Sequence, residues 1–300
     1  MPIHTLDLQF LDLEHAVASY LVETGAGPVL IESGPHSTYT QLVSAVEKVG
    51  YSIDEIKHVF LTHIHLDHAG AAWQLAQNGA QIYVHPIGVR HLVDPSKLMA
   101  SARMIYKDDM DRLWGEMRPI EETKITAVGD NEVIKIDETE FLSLHTPGHA
   151  KHHIAWQVKD VIFTGDVAGV KIGQGLVQPP CPPPDINLEY WLSSIERLRN
   201  AKASTLFLTH YDRITNIDEH LTELESTLTS WAGFVRSKWN EGLTNDEIIP
   251  LFIDYTNKQL EANSLNQLAI DQYQAANPSW MSVAGLVRYW SKKLNHEKPI

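Results

Sequence analysis

The stretch that decides the fold reads HVFLTHIHLDHAG, at residues 58–70. Its apolar run at 59–61 predicts a strand that is buried on both faces. Four side chains of metal-ligand type follow within six positions: His63, His65, Asp67 and His68. Because alternate residues of an extended segment face the same way, the histidines at 63 and 65 can reach one ion. A surface loop has no reason to follow a buried strand, so the pattern predicts a metal site with two neighbouring ions.

Two later segments repeat this design. Residues 161–166 and 205–210 each run through an apolar strand and a threonine to a side chain of ligand type, Asp166 and His210. A Pro-Gly turn presents His149 at the end of another predicted strand. Since α/β sheets build their sites at strand ends, we expect separate parallel strands to deliver these side chains to one edge.

The segment 63–68 has the form His-x-His-x-Asp-His, and with its neighbours it resembles the metallo-β-lactamase superfamily. The surrounding residues are similar to the branch that contains glyoxalase II, lactonases and thioesterases. The resemblance covers about residues 1–212, and every ligand position of the two-metal form is filled. It implies two ions with these ligands: His63, His65 and His149 for the first, Asp67, His68 and His210 for the second, and Asp166 as the bridge.

Imidazole and carboxylate ligands suit borderline divalent cations. The resemblance therefore implies two divalent metal ions, with zinc expected and iron or manganese as alternatives. A carboxylate bridge offsets repulsion between neighbouring cations, and paired ions lower the pKa of a shared water. Asp67 is the predicted catalytic residue, because its carboxylate can orient the resulting hydroxide and take its proton.

The resemblance implies an α/β fold, the four-layer αββα sandwich with two mixed sheets between helices. We place the catalytic domain at residues 1–215, with a helical insertion at about 88–124. Asp67 and His68 are expected just before a helix-like run at 69–78. After Asp212 the predicted strands stop, and 216–300 reads as a helical C-terminal extension. The sequence leaves open whether this extension caps an apolar acyl pocket, opposite Tyr106 and Trp114, or only packs on the sandwich.

Several residues near the motifs are candidates for supporting roles. Glu32 stands where the family carries an aspartate that supports the metal site. It either reaches in by one extra methylene or alters that support. Four histidines lie close to the site in sequence and are candidates to support a ligand: His85, His145, His152 and His153. Tyr211 follows a predicted ligand and is a candidate substrate contact, whereas Cys181 is expected to serve packing.

Among those four histidines, the preferred candidate is His153, because the family often has a polar residue four positions after the position of His149.

Composition restricts the partners and the location. The chain has 24 Lys and Arg against 38 Asp and Glu, a net charge of −14, so we expect no nucleic acid partner, although a local basic groove is compatible with this charge. Cys181 is the single cysteine, which excludes an intrachain disulfide and a thiolate cluster. No apolar run approaches the ~20 residues of a membrane span, and the N-terminus lacks the pattern of a signal peptide. We expect a cytoplasmic protein without a membrane partner, and leave a homodimer open.

The predicted function is metal-dependent hydrolysis of a small-molecule acyl substrate. A metal-bridging hydroxide attacks an acyl carbonyl, and a thioester or another small ester is the expected substrate. A quorum-quenching lactonase is the main alternative, but Gly169 stands where lactonases carry a tyrosine. A nuclease is disfavoured by the acidity, and an iron-dependent sulfur dioxygenase uses fewer of the ligands. A non-catalytic binding protein would be favoured by a missing ligand, and none is missing.

Overall fold

A computed structural model describes residues 1–297; the side chains of Asp212 and of residues 295–297 are outside this description. The last three residues of the predicted region 216–300 also lie outside it. In the described part, the chain forms two six-stranded sheets that face each other, with helices on both outer faces. This confirms the predicted α/β fold with its four αββα layers and its additional C-terminal helices.

The first sheet has its strands in chain order: β1 (Ile3–Asp7), β2 (Ala18–Thr24), β3 (Gly27–Ile31), β4 (His58–Phe60), β5 (Gln81–Val84) and β6 (Ile125–Ala127). The second contains β7 (Val133–Ile136), β8 (Thr139–His145), β9 (Ile154–Val158), β10 (Val161–Gly165), β11 (Thr205–Leu208) and β12 (Asp212–Ile214). Strands β3 to β6 are mutually parallel, β10 and β11 are parallel, and the other pairs are antiparallel. Both sheets are therefore mixed, as expected.

The helices fall into two groups. Those before the second sheet are α1 (Tyr39–Lys48), α2 (Leu66–Ala69), α3 (Ala72–Gln77), α4 (Pro86–Val93), α5 (Ser96–Tyr106) and α6 (Met110–Leu113). The later ones are α7 (Leu188–Asn200), α8 (Ile217–Asn240), α9 (Asn245–Ala262), α10 (Gln267–Ala276) and α11 (Ser279–Glu297). No helix in residues 1–297 is long and apolar enough to cross a membrane.

Strand β4 shows why the apolar run before the metal motif is continuous. Val59 and Leu61 are fully buried under the helices on the outer face of the first sheet. Phe60 points the other way, into the core between the sheets, and stacks on Phe141 of β8 with ring centroids 4.3 Å apart. Burying one such side chain contributes about 1.5–3 kcal/mol, so this short strand fixes the start of the motif firmly. The predicted strand with two buried faces is confirmed.

The C-terminal helices share a core with the second sheet. Trp231 of α8 and Phe252 of α9 pack edge to face, with centroids 4.9 Å apart. They belong to the same buried cluster as Trp191 of α7 and Ile162 of β10. Because this cluster crosses residue 215 without interruption, the helices after it complete the core instead of forming a second one.

Two local predictions are wrong. The helix-like run starts at Leu66, so Asp67 and His68 lie on α2, and it breaks at Gly70 before α3 begins. A Cβ atom at Gly70 would lie 2.4 Å from the carbonyl oxygen of Leu66 and 3.0 Å from Cα of Pro35, so the backbones approach there too closely for a side chain. The second error is the expected end of strands at 212, because β12 adds an antiparallel edge strand to β11.

Candidate metal centre

Both sheets contribute to the candidate centre, which is built where chain segments leave their strands. β4 leads to His63 and His65, and β10 and β11 lead to Asp166 and His210. His149 lies in the loop between β8 and β9. We expected parallel strands to deliver ligands to one sheet edge, but β4 lies in the first sheet and β10 and β11 in the second. The site therefore forms where the ends of two facing sheets meet.

The first group of possible ligand atoms comprises nitrogens of His63, His65 and His149 with a carboxylate oxygen of Asp166, all within 4.8 Å of one another. Nδ1 of His65 lies 2.9 Å from Nε2 of both His63 and His149. Oδ2 of Asp166 is 3.2 Å from Nε2 of His149 and 4.0 Å from Nε2 of His63. These separations bring four ligand-type atoms close enough together to hold one ion.

The second group comprises Asp67, His68 and His210, whose ligand atoms also lie within 4.8 Å of one another. Oδ2 of Asp67 is 3.7 Å from Nε2 of His68 and 3.4 Å from Nε2 of His210. Oδ1 of Asp166 is 3.3 Å and 3.4 Å from the same two nitrogens. Asp166 thus presents one oxygen to each group, which is the geometry of a bridging ligand.

Hydrogen bonds on the far side of the rings fix which nitrogen carries the proton. Nδ1 of His149 bonds the carbonyl oxygen of Pro180 at 2.8 Å, and Nδ1 of His210 bonds that of Ala16 at 2.8 Å. A carbonyl can only accept, so each Nδ1 donates. In the neutral ring, Nε2 then presents a lone pair to the centre, as a metal ligand requires.

These lone pairs test whether the residues fit metal ions. Nε2 of His68, Nε2 of His210 and Oδ1 of Asp166 are buried and have no hydrogen-bond partner among the described residues. Neutral imidazole nitrogens and a carboxylate oxygen are all acceptors here, so they repel one another unless a positive charge lies between them. An unsatisfied buried polar group costs about 1–3 kcal/mol. A divalent cation in each group satisfies all three atoms, and the donor set fits two ions.

The local electrostatics also attract positive charge. Burial lowers the pKa of His68, but the carboxylates of Asp166, Asp67 and Glu32 outweigh burial and raise it well above its usual value. For His210, burial is likewise outweighed by Asp166 and Asp67, and its pKa is raised. Protons and metal ions therefore compete for the same nitrogens, so metal affinity should fall as the pH falls.

Glu32 supports the centre directly from behind the ligands. Its buried carboxylate accepts the Nδ1 hydrogen of His68 at 2.9 Å and the backbone N–H of Thr62 at 3.1 Å. The Thr62 hydroxyl also donates to Glu32. The oxygen of Thr62 in turn accepts from Nδ1 of His63 at 3.0 Å. The extra methylene of glutamate thus lets one carboxylate orient a ring in each ligand group.

Two of the supporting histidines lie at the centre. His153 accepts the backbone N–H of Asp166 at 3.2 Å through Nε2, and its Nδ1 donates to Thr146 at 2.8 Å. It therefore holds the bridging residue in place. His152 is buried beside the rings of His63 and His65, and its Nδ1 has no hydrogen-bond partner in the part of the chain that is described.

The remaining candidates serve the surrounding structure. His85 accepts the N–H of Ile87 at the start of α4 and packs on His145, with ring centroids 4.3 Å apart. The Tyr211 hydroxyl donates to Asp7 at 3.1 Å, away from the cavity described next. Cys181 is fully buried, and burial raises the pKa of its thiol, which agrees with the predicted packing role.

A cavity of about 850 Å³ opens above the ligands His65, Asp67 and Asp166. Its walls come from three segments that are distant in sequence: residues 86–106, residues 180–185 and residues 276–281. Tyr106 and Trp114 line it, and so does Met281 from the C-terminal region. A C-terminal extension that caps the pocket opposite Tyr106 and Trp114 requires this arrangement. Sequence reasoning anticipated Tyr106, Trp114 and a wall from the C-terminal region, but it missed the individual contributions of residues 86–102 and of the proline loop.

The sandwich and the paired ligand groups at its end define an α/β protein with a candidate metal centre. The family model described as "Metallo-beta-lactamase superfamily" matches residues 13–210, and the chain belongs to this superfamily.

Three relatives illustrate its range. The chain is 28% identical over 180 residues to the metallo-beta-lactamase fold-containing protein ST1585 of Sulfurisphaera tokodaii, covering 58% of this chain and 68% of that one. The solved ST1585 structure superimposes with a TM-score of 0.62 at 24% identity, covering 73% of this chain and 84% of that one.

An atrochrysone carboxyl ACP thioesterase of Aspergillus fumigatus is 25% identical over 208 residues, 68% of this chain and 54% of that protein. The hydroxyacylglutathione hydrolase GloC of Haemophilus influenzae is 31% identical over 139 residues, 44% of this chain and 58% of that protein. The chain thus spans little more than half the length of these two relatives. Hydrolases are among its relatives, and the fold and the ligand set agree with that class.

Proposed function

We propose that this protein is a dinuclear metal hydrolase that cleaves acyl thioesters, with zinc as the expected ion. The observation that carries the proposal is the pair of ligand groups joined by Asp166, whose buried lone pairs need cations, directly beneath the cavity. His63, His65 and His149 would hold one ion and Asp67, His68 and His210 the other. When bound, two divalent ions supply acidified water as the nucleophile and polarise a carbonyl.

Asp67 is suited to handle the proton of the attacking water. Burial alone would raise its pKa, but electrostatic attraction to His68 and His210 lowers the pKa to about 2. Its carboxylate therefore stays ionised at neutral pH, and 19% of the side chain is exposed at the cavity floor. It can accept the proton of water as the carbon–oxygen bond forms. It can then return this proton to the thiolate when the carbon–sulfur bond breaks.

The cavity walls suit an acyl group. Ile64, Leu98, Ile105 and Met281 give the cavity a largely apolar lining. Tyr106 adds a hydroxyl near Asp67; burial and then the Asp67 charge raise the pKa of this phenol, so it remains a hydrogen-bond donor. The relatives named as a thioesterase and a hydroxyacylglutathione hydrolase support transfer of an acyl group to water.

Lactone hydrolysis is the second candidate, and the environment of Gly169 bears on it. A Cβ atom there would lie 2.9 Å from the carbonyl oxygen of Gln178 and 2.9 Å from a methyl group of Leu224. The backbone at this position is packed against α8, so the tyrosine of lactonases has no room without rearrangement. This observation favours thioesters over lactones.

A substrate screen tests the proposal. The zinc-loaded protein should hydrolyse acyl thioesters with a higher kcat/KM than acyl-homoserine lactones or phosphodiesters, and chelation should abolish the reaction. Hydrolysis of phosphodiesters alone would replace the proposal with a nuclease, and oxidation of a persulfide would replace it with a dioxygenase. The expected cytoplasmic location and the absence of nucleic acid and membrane partners stay predictions, and a homodimer stays open.

A further inference from the structure

A group of basic side chains surrounds the mouth of the cavity although the chain as a whole carries a net charge of −14. We call Arg90, Lys97 and Lys151 the basic rim. Arg90 lies on α4, Lys97 at the start of α5, and Lys151 in the loop that carries the predicted ligand His149. All three are exposed and line the cavity, so their charges are available to a bound molecule.

Few carboxylates neutralise this rim. Arg90 and Lys97 form no ion pair with a carboxylate among the described residues, and Lys151 pairs with Asp185 at 3.1 Å. His91 lies among them and accepts from Nε of Arg90 at 3.2 Å. Its pKa is lowered, first by burial and then by Arg90, with Lys97 acting in the same sense, so its ring is neutral near neutral pH.

The C-terminal helix extends the same positive field. The Nζ of Lys292, on α11, donates to the carbonyl oxygen of Pro184 in the proline loop at 3.1 Å. Its pKa is lowered, first by burial and then by the neighbouring charges of Arg288 and Lys151. A multiply charged anion bound near these side chains would relieve their mutual repulsion.

We propose that the basic rim binds the phosphate groups of the substrate's thiol portion, so that the substrate is an acyl thioester of a phosphate-bearing thiol. This rests on the proposed function, because the acyl group must fill the apolar walls with its carbonyl at the ligand groups. The thiol portion then extends from Asp67 and Asp166 on the floor towards the mouth, where the rim lies. A cluster of Arg and Lys side chains suits phosphate, which offers several charged acceptor oxygens.

The test compares one acyl group on three thiols: coenzyme A, glutathione and uncharged N-acetylcysteamine. We expect kcat/KM to be at least tenfold higher for the coenzyme A thioester than for the N-acetylcysteamine thioester. In the triple variant Arg90→Gln, Lys97→Gln, Lys151→Gln, this ratio should fall at least tenfold. Added salt should lower the wild-type ratio, because exposed charges are screened.

A matched control removes the same total charge elsewhere. Lys48, Lys135 and Lys258 are exposed and do not line the cavity, and their triple change to Gln should keep the wild-type ratio. Equal kcat/KM values for the coenzyme A and N-acetylcysteamine thioesters would overturn the proposed role of the basic rim, while the proposed function would stand. A preference for the glutathione thioester over the coenzyme A thioester would overturn the phosphate assignment.

A binding measurement keeps the inference testable if no thioester is cleaved and the proposed function fails. Adenosine 3′,5′-bisphosphate carries phosphates but no thiol, so it reports on the rim alone. Calorimetry should show binding to the wild-type protein and to the control variant, weakened at least tenfold in the rim variant. Equal binding by the rim and control variants would refute the inference.

Discussion

Changing Glu32 to Gln tests how the centre is supported. Oε1 of Glu32 accepts from His68 and from the Thr62 hydroxyl, and Oε2 accepts from the Thr62 backbone N–H. Glutamine keeps one oxygen and replaces the other with an NH2 group. Whichever way the amide turns, its NH2 group faces at least one donor, so one buried donor loses its partner.

The expected magnitude follows from this count. One unsatisfied buried donor costs about 1–3 kcal/mol. Loss of a partner that orients a ligating ring lowers metal affinity by about 10–100-fold, which corresponds to about 1.4–2.8 kcal/mol. Because Glu32 contacts His68 directly and His63 only through Thr62, the ion of the second group should weaken more than the ion of the first.

The assay is competition between the protein and a chromophoric chelator for zinc, which resolves two affinities. Glu140→Gln is the control, since this glutamate is exposed and pairs with Lys135 on the surface. The control should keep both wild-type affinities. If Glu32→Gln also keeps both zinc affinities, the Glu32 carboxylate does not orient the ligands.

Three further predictions concern chemistry, pH and specificity. Asp67→Asn should lower kcat by more than tenfold, at least about 1.4 kcal/mol of barrier, with a smaller change in KM; steady-state kinetics near wild type would show that Asp67 is not the proton acceptor. Burial lowers the pKa of His220 to about 4, against 6.5 for an unburied histidine, so metal-free protein should lose stability as the pH falls from about 6.5 to 4. The shift corresponds to about 3 kcal/mol. The free energy of unfolding in urea should therefore fall less over this pH range for His220→Gln than for the wild type. An equal fall in both proteins would contradict this role of His220. Met281→Trp should reduce kcat/KM for long acyl chains more than for short ones, whereas Met104→Trp, 75% exposed and outside the cavity lining, should not; equal chain-length preference in both variants would contradict the acyl-pocket role.

The residues of the candidate centre could be predicted from the sequence because each one follows a pattern that is recognisable locally. The ligands follow apolar strands, and a strand such as β4, with Val59 and Phe60 buried on opposite faces, is recognisable from hydrophobicity alone. The four-layer fold follows from the same pattern and from the resemblance that the motif carries.

What the sequence does not predict depends on contacts between distant segments. The close approach of Pro35 to Gly70 and the reach of Glu32 to His68 both join segments that are apart in sequence. Tyr106 of the cavity wall packs against Trp280 with ring centroids 5.9 Å apart, although the two residues are far apart in sequence. No periodicity within either segment encodes such a meeting.

Metal stoichiometry tests the central claim most directly. Native mass spectrometry of zinc-loaded protein should show two ions per chain, since Asp166 joins two complete ligand groups. Asp166→Asn removes the charge shared by both groups and should reduce the occupancy of both sites. A single ion per chain at saturating zinc, in the wild type as in Asp166→Asn, would contradict the dinuclear centre.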